Sequence, residues 1–316
     1  MALHPSSRIV CASASSAGQV QQDNQDSVFV GLTPQGALAL VADGMGGHKS
    51  GELASQKARD VVIQALARAL KHPPLAMAKA VQQANLDILD YAEVHPESQG
   101  MGTTLTVVLI DDHLALIGHV GDSRAYLIRG GEIRQLTRDH SWVAERVRQG
   151  LLSDAEARQH QWRNIITNAV GTKPHVRLEL SALTLQPGDR LLLGSDGLSL
   201  VLPDALLLQV IGTMPPEEAV TELVRRANER GAPDNVTAAL LTVRSVEAYP
   251  KTYTLPSELP VSVEISEGSE GLAKVEAAFP HRGRFAKVRR HPLYPYRWWL
   301  LGCLYLLGLF VFFGLR

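Results

Sequence analysis

A run of six small and aliphatic residues, Ala37–Ala42, stops on Asp43 and passes at once into Gly44-Met45-Gly46-Gly47. A strand that is apolar at every position must be covered on both faces, so it belongs to a sheet packed between layers. Related runs recur at Ser27–Val30, Leu105–Ile110, Leu114–Val120, Ala125–Ile128, Leu178–Leu183, Arg190–Leu193 and Val236–Val243, bounded by Gly, Asp, Asn and Pro. Between them, three- and four-residue apolar spacing predicts helices over Gly51–Leu70, with Ser50 as N-cap, and over Pro73–Tyr91. A second pair is predicted at Asp204–Ile211 and Pro216–Arg230. Paired helices break the strict βαβ alternation of a parallel sheet. The order predicts an α+β protein of antiparallel sheets with helix pairs packed outside them.

Five acids fall where these runs end. Asp26 opens a strand, Asp43 closes one, Asp122 follows Gly118-His119-Val120-Gly121, Asp196 follows Gly194-Ser195, and Asp234 precedes Asn235 and the last run. A single Asp-Gly pair is a turn. Five acids at strand termini converge on one sheet edge if the strands pair. Carboxylates crowded away from water repel one another and need cations between them. All-oxygen ligation selects Mg2+ or Mn2+ over zinc or copper. Two such ions hold a bridging hydroxide and polarise a phosphoryl group for in-line attack, which points to phosphate-ester hydrolysis.

The motifs Asn24-Gln25-Asp26-Ser27, ADGMGGHKSGE at 42–52, MGTTL at 101–105, GHVGDSRAYL at 118–127, LTRDHS at 136–141, GSDGL at 194–198 and APDNVTAAL at 232–240 occur in this order. Together they resemble the bacterial branch of the metal-dependent type-2C protein phosphatases, the PPM family, over about Val10 to Val243. The resemblance implies an α-β-β-α sandwich of two antiparallel sheets flanked by helix pairs. It implies that Asp43 bridges two Mn2+ or Mg2+ ions, that Gly44 donates a carbonyl ligand, and that Asp196 and Asp234 complete the first ion. Asp26 would serve the second ion directly or through water, and Asp122 would join Asp196 at a third, weaker one. Asp43, Asp196 and Asp234 are the implied catalytic set. Asn235 is expected behind the ligands or in a turn, and Thr103 and Thr104 in structural roles. Ser141–Arg163 falls where the family places a mobile flap.

Two positions depart from the family pattern. An Arg that grips the substrate phosphate usually lies a few residues before the first acid, and here that position holds Gln21, with Arg8 and Arg163 as conceivable substitutes. Loss of a bidentate guanidinium weakens phosphate binding without removing the metal chemistry. Some members carry a His directly after the first Asp-Gly pair. Here Met45 stands there, His48 is three residues on, and the leaving oxygen is expected to take its proton from water on a metal.

The remaining composition narrows the setting. Two cysteines, Cys11 and Cys303, make no disulfide framework and no zinc pattern, and a net charge of −1 gives no reason to expect nucleic acid. Residues 245–297 are rich in Pro, Ser, Glu and Gly and read as a linker with a basic end, although Val261–Ile265 alternates as a strand would. Residues 298–315 form an uncharged apolar run with Trp298 and Trp299 at its start and six basic residues upstream. As a helix of roughly 27 Å it matches a bilayer core. The flanking charges predict a single-pass anchor with the 1–244 domain on the cytoplasmic side. The resulting expectation is a membrane-tethered phosphatase that hydrolyses phosphoserine and phosphothreonine in proteins, opposing a Ser/Thr kinase. A pseudophosphatase that binds a phosphoprotein or kinase without turnover is the alternative.

Overall fold

Leu38, Leu40 and Ala42 enter one buried cluster, while their alternate neighbours Ala37, Ala39 and Val41 enter another. The period of two along a strand sends successive side chains to opposite faces, so a single apolar run serves two cores. A computed structural model describes residues 8–34, 36–246, 253–266 and 270–280, and shows how this rule builds the molecule.

In chain order the elements are β1 (Ile9–Ser16), β2 (Asp26–Thr33), β3 (Gly36–Met45), α1 (His48–Leu66), α2 (Pro73–Val94), β4 (Gly102–Thr103), β5 (Leu105–Asp111), β6 (Leu114–Val120), β7 (Arg124–Arg129) and β8 (Glu132–Gln135). There follow α3 (Trp142–Arg148), α4 (Asp154–Gln159), β9 (His175–Thr184), β10 (Arg190–Gly194), α5 (Asp196–Ser199), α6 (Asp204–Thr213), α7 (Pro216–Glu229), β11 (Val236–Val243), β12 (Val261–Ser266) and α8 (Glu270–Ala278). One sheet has the order β1-β11-β10-β7-β8 and the other β12-β9-β6-β5-β3-β2, with β4 attached to β3. Every pairing between these strands is antiparallel.

Three cores separate four layers. Leu38, Leu40 and Leu109 pack with Val62, Met77 and Ile88 of α1 and α2. Leu192, Ala238 and Leu240 pack with Leu207, Val220 and Leu223 of α6 and α7. Between the sheets, Val41, Val108 and Ile117 meet Leu191, Ala239 and Leu241. The expected antiparallel sheets with helix pairs outside them are present.

Three local expectations are corrected. Helix α1 begins at His48 and its N-cap is Gly47, at φ 77°, in place of Ser50. Strands β1 and β8 were not anticipated, because the apolar start of β1, Ile9 to Ala12, is short and passes into Ser13-Ala14-Ser15-Ser16, and Glu132-Ile133-Arg134-Gln135 lacks an apolar run. The third correction concerns the linker. Val261–Ser266 pairs with β9 as a sixth main strand of its sheet, with Val263 opposite Leu178 and Ile265 opposite Val176. Helix α8 follows, and Tyr253, Val275 and Phe279 join the helix-side core. His72, the N-cap of α2, donates from Nε2 to the Phe279 carbonyl at 2.6 Å and accepts from the Leu75 amide at Nδ1. Sparse apolar residues suffice here because each lands on a sheet edge that would otherwise stay open.

The predicted span at 298–315 lies outside the described residues, as does the basic segment before it. Among the described residues no helix is long and apolar enough to cross a membrane.

Phe279 distinguishes a packed extension from a tether. Phe279→Ala is expected to cost about 3–5 kcal/mol, read as a lower Tm in thermal unfolding. A Tm equal to that of the parent chain would detach the segment from the fold.

Candidate metal centre

Strand register sets the first two acids. Asp26 lies directly opposite Asp43 in the β2–β3 ladder. An Asx turn starts β2, with the Asp26 amide donating to Asn24 Oδ1 at 3.1 Å. Asp43 is clamped through its backbone: its amide donates to Thr104 Oγ1 at 2.9 Å, and its carbonyl accepts from the Thr104 amide at 2.9 Å and Thr103 Oγ1 at 3.0 Å. The two threonines therefore have the structural role expected of them.

Gly44 follows, and a Cβ there would lie 2.0 Å from the Gly51 carbonyl oxygen and 2.8 Å from that of Gln25. Close seating of the first turn of α1 on β3 is thus a structural reason for this glycine. Gly197, after Asp196, is required in the same way: its Cβ would meet the Asn235 carbonyl oxygen at 2.2 Å.

The other three acids come from connections at the same end of the sandwich. Asp122 lies between β6 of one sheet and β7 of the other, and Asp196 opens α5 directly after β10. Asp234 precedes β11, and Asn235 fastens it to the Asp26 loop. The Asn235 amide donates to Asp234 Oδ1 at 2.8 Å, Asn235 Oδ1 accepts from the Gln25 amide at 2.8 Å, and its Nδ2 donates to the carbonyls of Ala17 and Asp23.

The carboxyl groups act on one another. Burial, with the charges of Asp196 and Asp234 added, pushes Asp26 up to about 7. Burial and the charge of Asp234 raise Asp196 to about 6. Asp43 is raised well above the carboxylate range by burial and by the other four acids, and Asp122 by burial and by Asp196. All five predicted acids are thus brought within electrostatic reach.

A divalent cation fits this set. Both carboxylate oxygens of Asp26, Oδ1 of Asp122 and Oδ1 of Asp196 are buried with no hydrogen-bond partner. Buried polar atoms are ordinarily satisfied, and oxygen donors of this kind suit a hard ion. Among the described residues no three acids or histidines form a ready-made cage. Mg2+-like ions keep several waters and are held by one or two carboxylates each, so a closed cage is not required.

Two polar residues that sequence reasoning missed support the site from behind. Ser123 Oγ is 2.8 Å from Thr104 Oγ1, and its carbonyl accepts from Thr106 Oγ1 at 2.9 Å, which links the Asp122 loop to the Asp43 clamp. His140, fully buried, accepts from the Gly121 amide at 3.1 Å, and its Nε2 lies 3.5 Å from Glu179. Its carbonyl accepts from the Thr167 amide, which joins the Asp122 loop to the base of the 141–163 segment. Both residues lie inside motifs already noted, but their partners are remote in sequence.

A cavity of about 850 Å3 opens on Asp122 and Asp196 and is bordered by α3, α4 and the turn after them. The 141–163 insert therefore borders the acids, as the resemblance implied. Gln21 is exposed and does not line this cavity, whereas Arg163 does.

Comparison with known proteins agrees with this geometry. Residues 14–242 match the family described as Protein phosphatase 2C. The chain is 38% identical over 237 residues to the serine/threonine protein phosphatase PstP of Mycobacterium tuberculosis, a match that covers 73% of this chain but 44% of that protein. It is 37% identical over 240 residues to the protein phosphatase PhpP of Streptococcus pneumoniae, which covers 73% of this chain and 96% of PhpP. The fold superimposes on a crystal structure of the PstP catalytic domain in complex with two manganese ions at a TM-score of 0.69, with 34% identity, 75% of this chain and 99% of that one covered.

The raised acids make stability depend on pH when metal is withheld. Asp26 and Asp196 hold protons in the fold that the unfolded chain, with pKa near 3.8, has already released. Stability from these groups is therefore lost as pH rises through 6 and 7. In chelator, Tm is expected to fall between pH 5.5 and 8, and Mn2+ is expected to raise Tm more at pH 8 than at 5.5. A chelated Tm that climbs across this window, or one unaffected by Asp26→Asn, would refute the assignment.

Proposed function

The chain belongs to the protein phosphatase 2C family, and from that premise we propose that it hydrolyses phosphoserine and phosphothreonine in proteins with Mn2+ or Mg2+. The observation that carries the proposal is the set of buried, unpartnered carboxylate oxygens on Asp26, Asp122 and Asp196, beside Asp43 and Asp234 at one end of the sandwich. Asp26, Asp43, the Gly44 carbonyl, Asp122, Asp196 and Asp234 would hold two or three ions. When bound, such ions supply positive charge to the phosphoryl oxygens and activate water for in-line attack.

The chain's own contribution is to hold these groups in place. Thr103 and Thr104 fix the Asp43 backbone, and Asn235 keeps the Asp26 and Asp234 loops together. Ser123 and His140 hold the Asp122 connection. The cavity on Asp122 and Asp196 admits a phosphorylated side chain from the direction of the 141–163 segment.

Tethering is part of the same proposal. The uncharged run at 298–315 with its basic flank supports a single-pass anchor that keeps the catalytic domain at the cytoplasmic face. Membrane-bound phosphoproteins, including substrates of a Ser/Thr kinase, would then be met at raised local concentration.

Phosphate release from a phosphothreonine peptide tests the chemistry. Release is expected with Mn2+, to stop with chelator, and to fall by about 10–100-fold in Asp196→Asn, the range that loss of a partner at a metal site commonly gives. Release indifferent to chelator overturns the mechanism. A Mn2+-loaded chain that binds the peptide without turnover would establish the pseudophosphatase alternative instead. For the tether, deletion of 298–316 is expected to move the protein from the membrane to the supernatant fraction, and an unaltered distribution would sink it.

A further inference from the structure

The cavity that opens on Asp122 and Asp196 has a wall of different chemistry from its floor. Arg138, Arg148, Arg158 and Arg163 line it and are exposed. A fifth arginine there, Arg124, is already neutralised by Asp139 through contacts of 2.7–3.1 Å. Arg148 donates only to the Asp139 carbonyl, at 3.0 Å, and Arg158 and Arg163 form no ion pair among the described residues. The lining as a whole holds five arginines and five aspartates. Asp122 and Asp196 are its floor and Asp139 is paired with Arg124, so the exposed wall sets four guanidiniums against Asp154 and Asp204. A wall with a surplus of one sign of charge attracts groups of the other.

The same segment carries apolar contact area. Trp162 is 44% exposed and lies edge-on to Trp142 with ring centroids 4.7 Å apart. His160 stacks on Trp142 at 4.9 Å, which holds both indoles in a fixed frame next to Arg163. Rigid Trp beside Arg is the residue pairing that dominates protein-binding surfaces.

We propose that the 141–163 segment is a docking wall for acidic side chains flanking the phosphoresidue, so that the protein selects phosphorylated segments rich in Glu and Asp. The inference rests on the reading of the floor as a site for phosphorylated protein. Arg148, Arg158 and Arg163 are the specificity-determining residues, and Trp162 supplies the apolar anchor. Each exposed charge pair contributes modestly, so discrimination comes from several acting together, about tenfold in total, and weakens with salt.

The test uses the full chain loaded with Mn2+ and labelled phosphothreonine peptides that differ only in flanks of three Glu, three Gln or three Lys. Peptide Kd is read by fluorescence anisotropy, and phosphate release is followed in parallel. The Glu-flanked peptide is expected to bind about tenfold more tightly than the Gln-flanked one at low salt, with the gap closing near 0.5 M NaCl. The triple variant R148E/R158E/R163E is expected to reverse the order in favour of Lys flanks. R158Q/R163Q, a milder change at exposed sites, is expected to narrow the gap. Equal Kd values for Glu and Gln flanks in the parent chain, or an order unaltered in both variants, overturn the proposal. Binding preference without any phosphate release would uphold this wall while removing the hydrolase reading, so the two fail separately.

Discussion

Asp26 and Asp43 stand directly across from each other on adjacent strands, a like-charge pairing that an antiparallel sheet ordinarily avoids. Without a cation between them the two carboxyl groups cannot both stay ionised, and burial with the crowded charges around them raises the proton affinity of each. The three backbone clamps on Asp43 contribute about 1 kcal/mol each and hold its carboxylate where repulsion would displace it. Three apolar cores behind the site supply the remaining rigidity. The fold concentrates its frustration at one end of the sandwich and is locally consistent elsewhere.

The two sheets share this burden through polar side chains rather than through the apolar core between them. Asn235 ties the start of β11 to the loop before β2, and Ser123 ties the loop before β7 to Thr104 at the junction of β4 and β5. Each bond crosses from one sheet to the other. An apolar side chain at either position would leave an amide or hydroxyl group unsatisfied beside several carboxylates, which is costlier than the loss of one hydrogen bond. The acids are therefore arranged by a frame that is itself neutral.

Much of this was legible in the residues. Leu114–Val120 and Val236–Val243 were delimited as strands to the residue, because their apolar runs are bounded by turn formers on both sides. The five acids were legible for the same reason, since a carboxylate that ends an apolar run has no ordinary place in a core. What stayed hidden depended on contacts distant in sequence. β1 is recognisable only beside β11, since its short apolar start, Ile9 to Ala12, passes at once into small Ser and Ala residues. β12 shows in the residues only as the alternation of Val261–Ile265, inside a stretch whose composition reads as linker, and it is the open edge of β9 that gives Val263 and Ile265 a partner; α8 left no such trace. His140 likewise looks like any polar residue until Gly121, Thr167 and Glu179 surround it.

The fastening of Phe279 to His72 has a geometric corollary. His72 caps the start of α2, a helix of 22 residues, or about 33 Å at 1.5 Å per residue. The far end of that helix leads within a few residues to Gly102, which pairs with Met45 beside the acids. Pro280 thus stands roughly a full helix length from the acids. The contact that fastens the C-terminal extension thus sits at the end of α2 away from the acids, where it can be loosened without touching a candidate metal ligand.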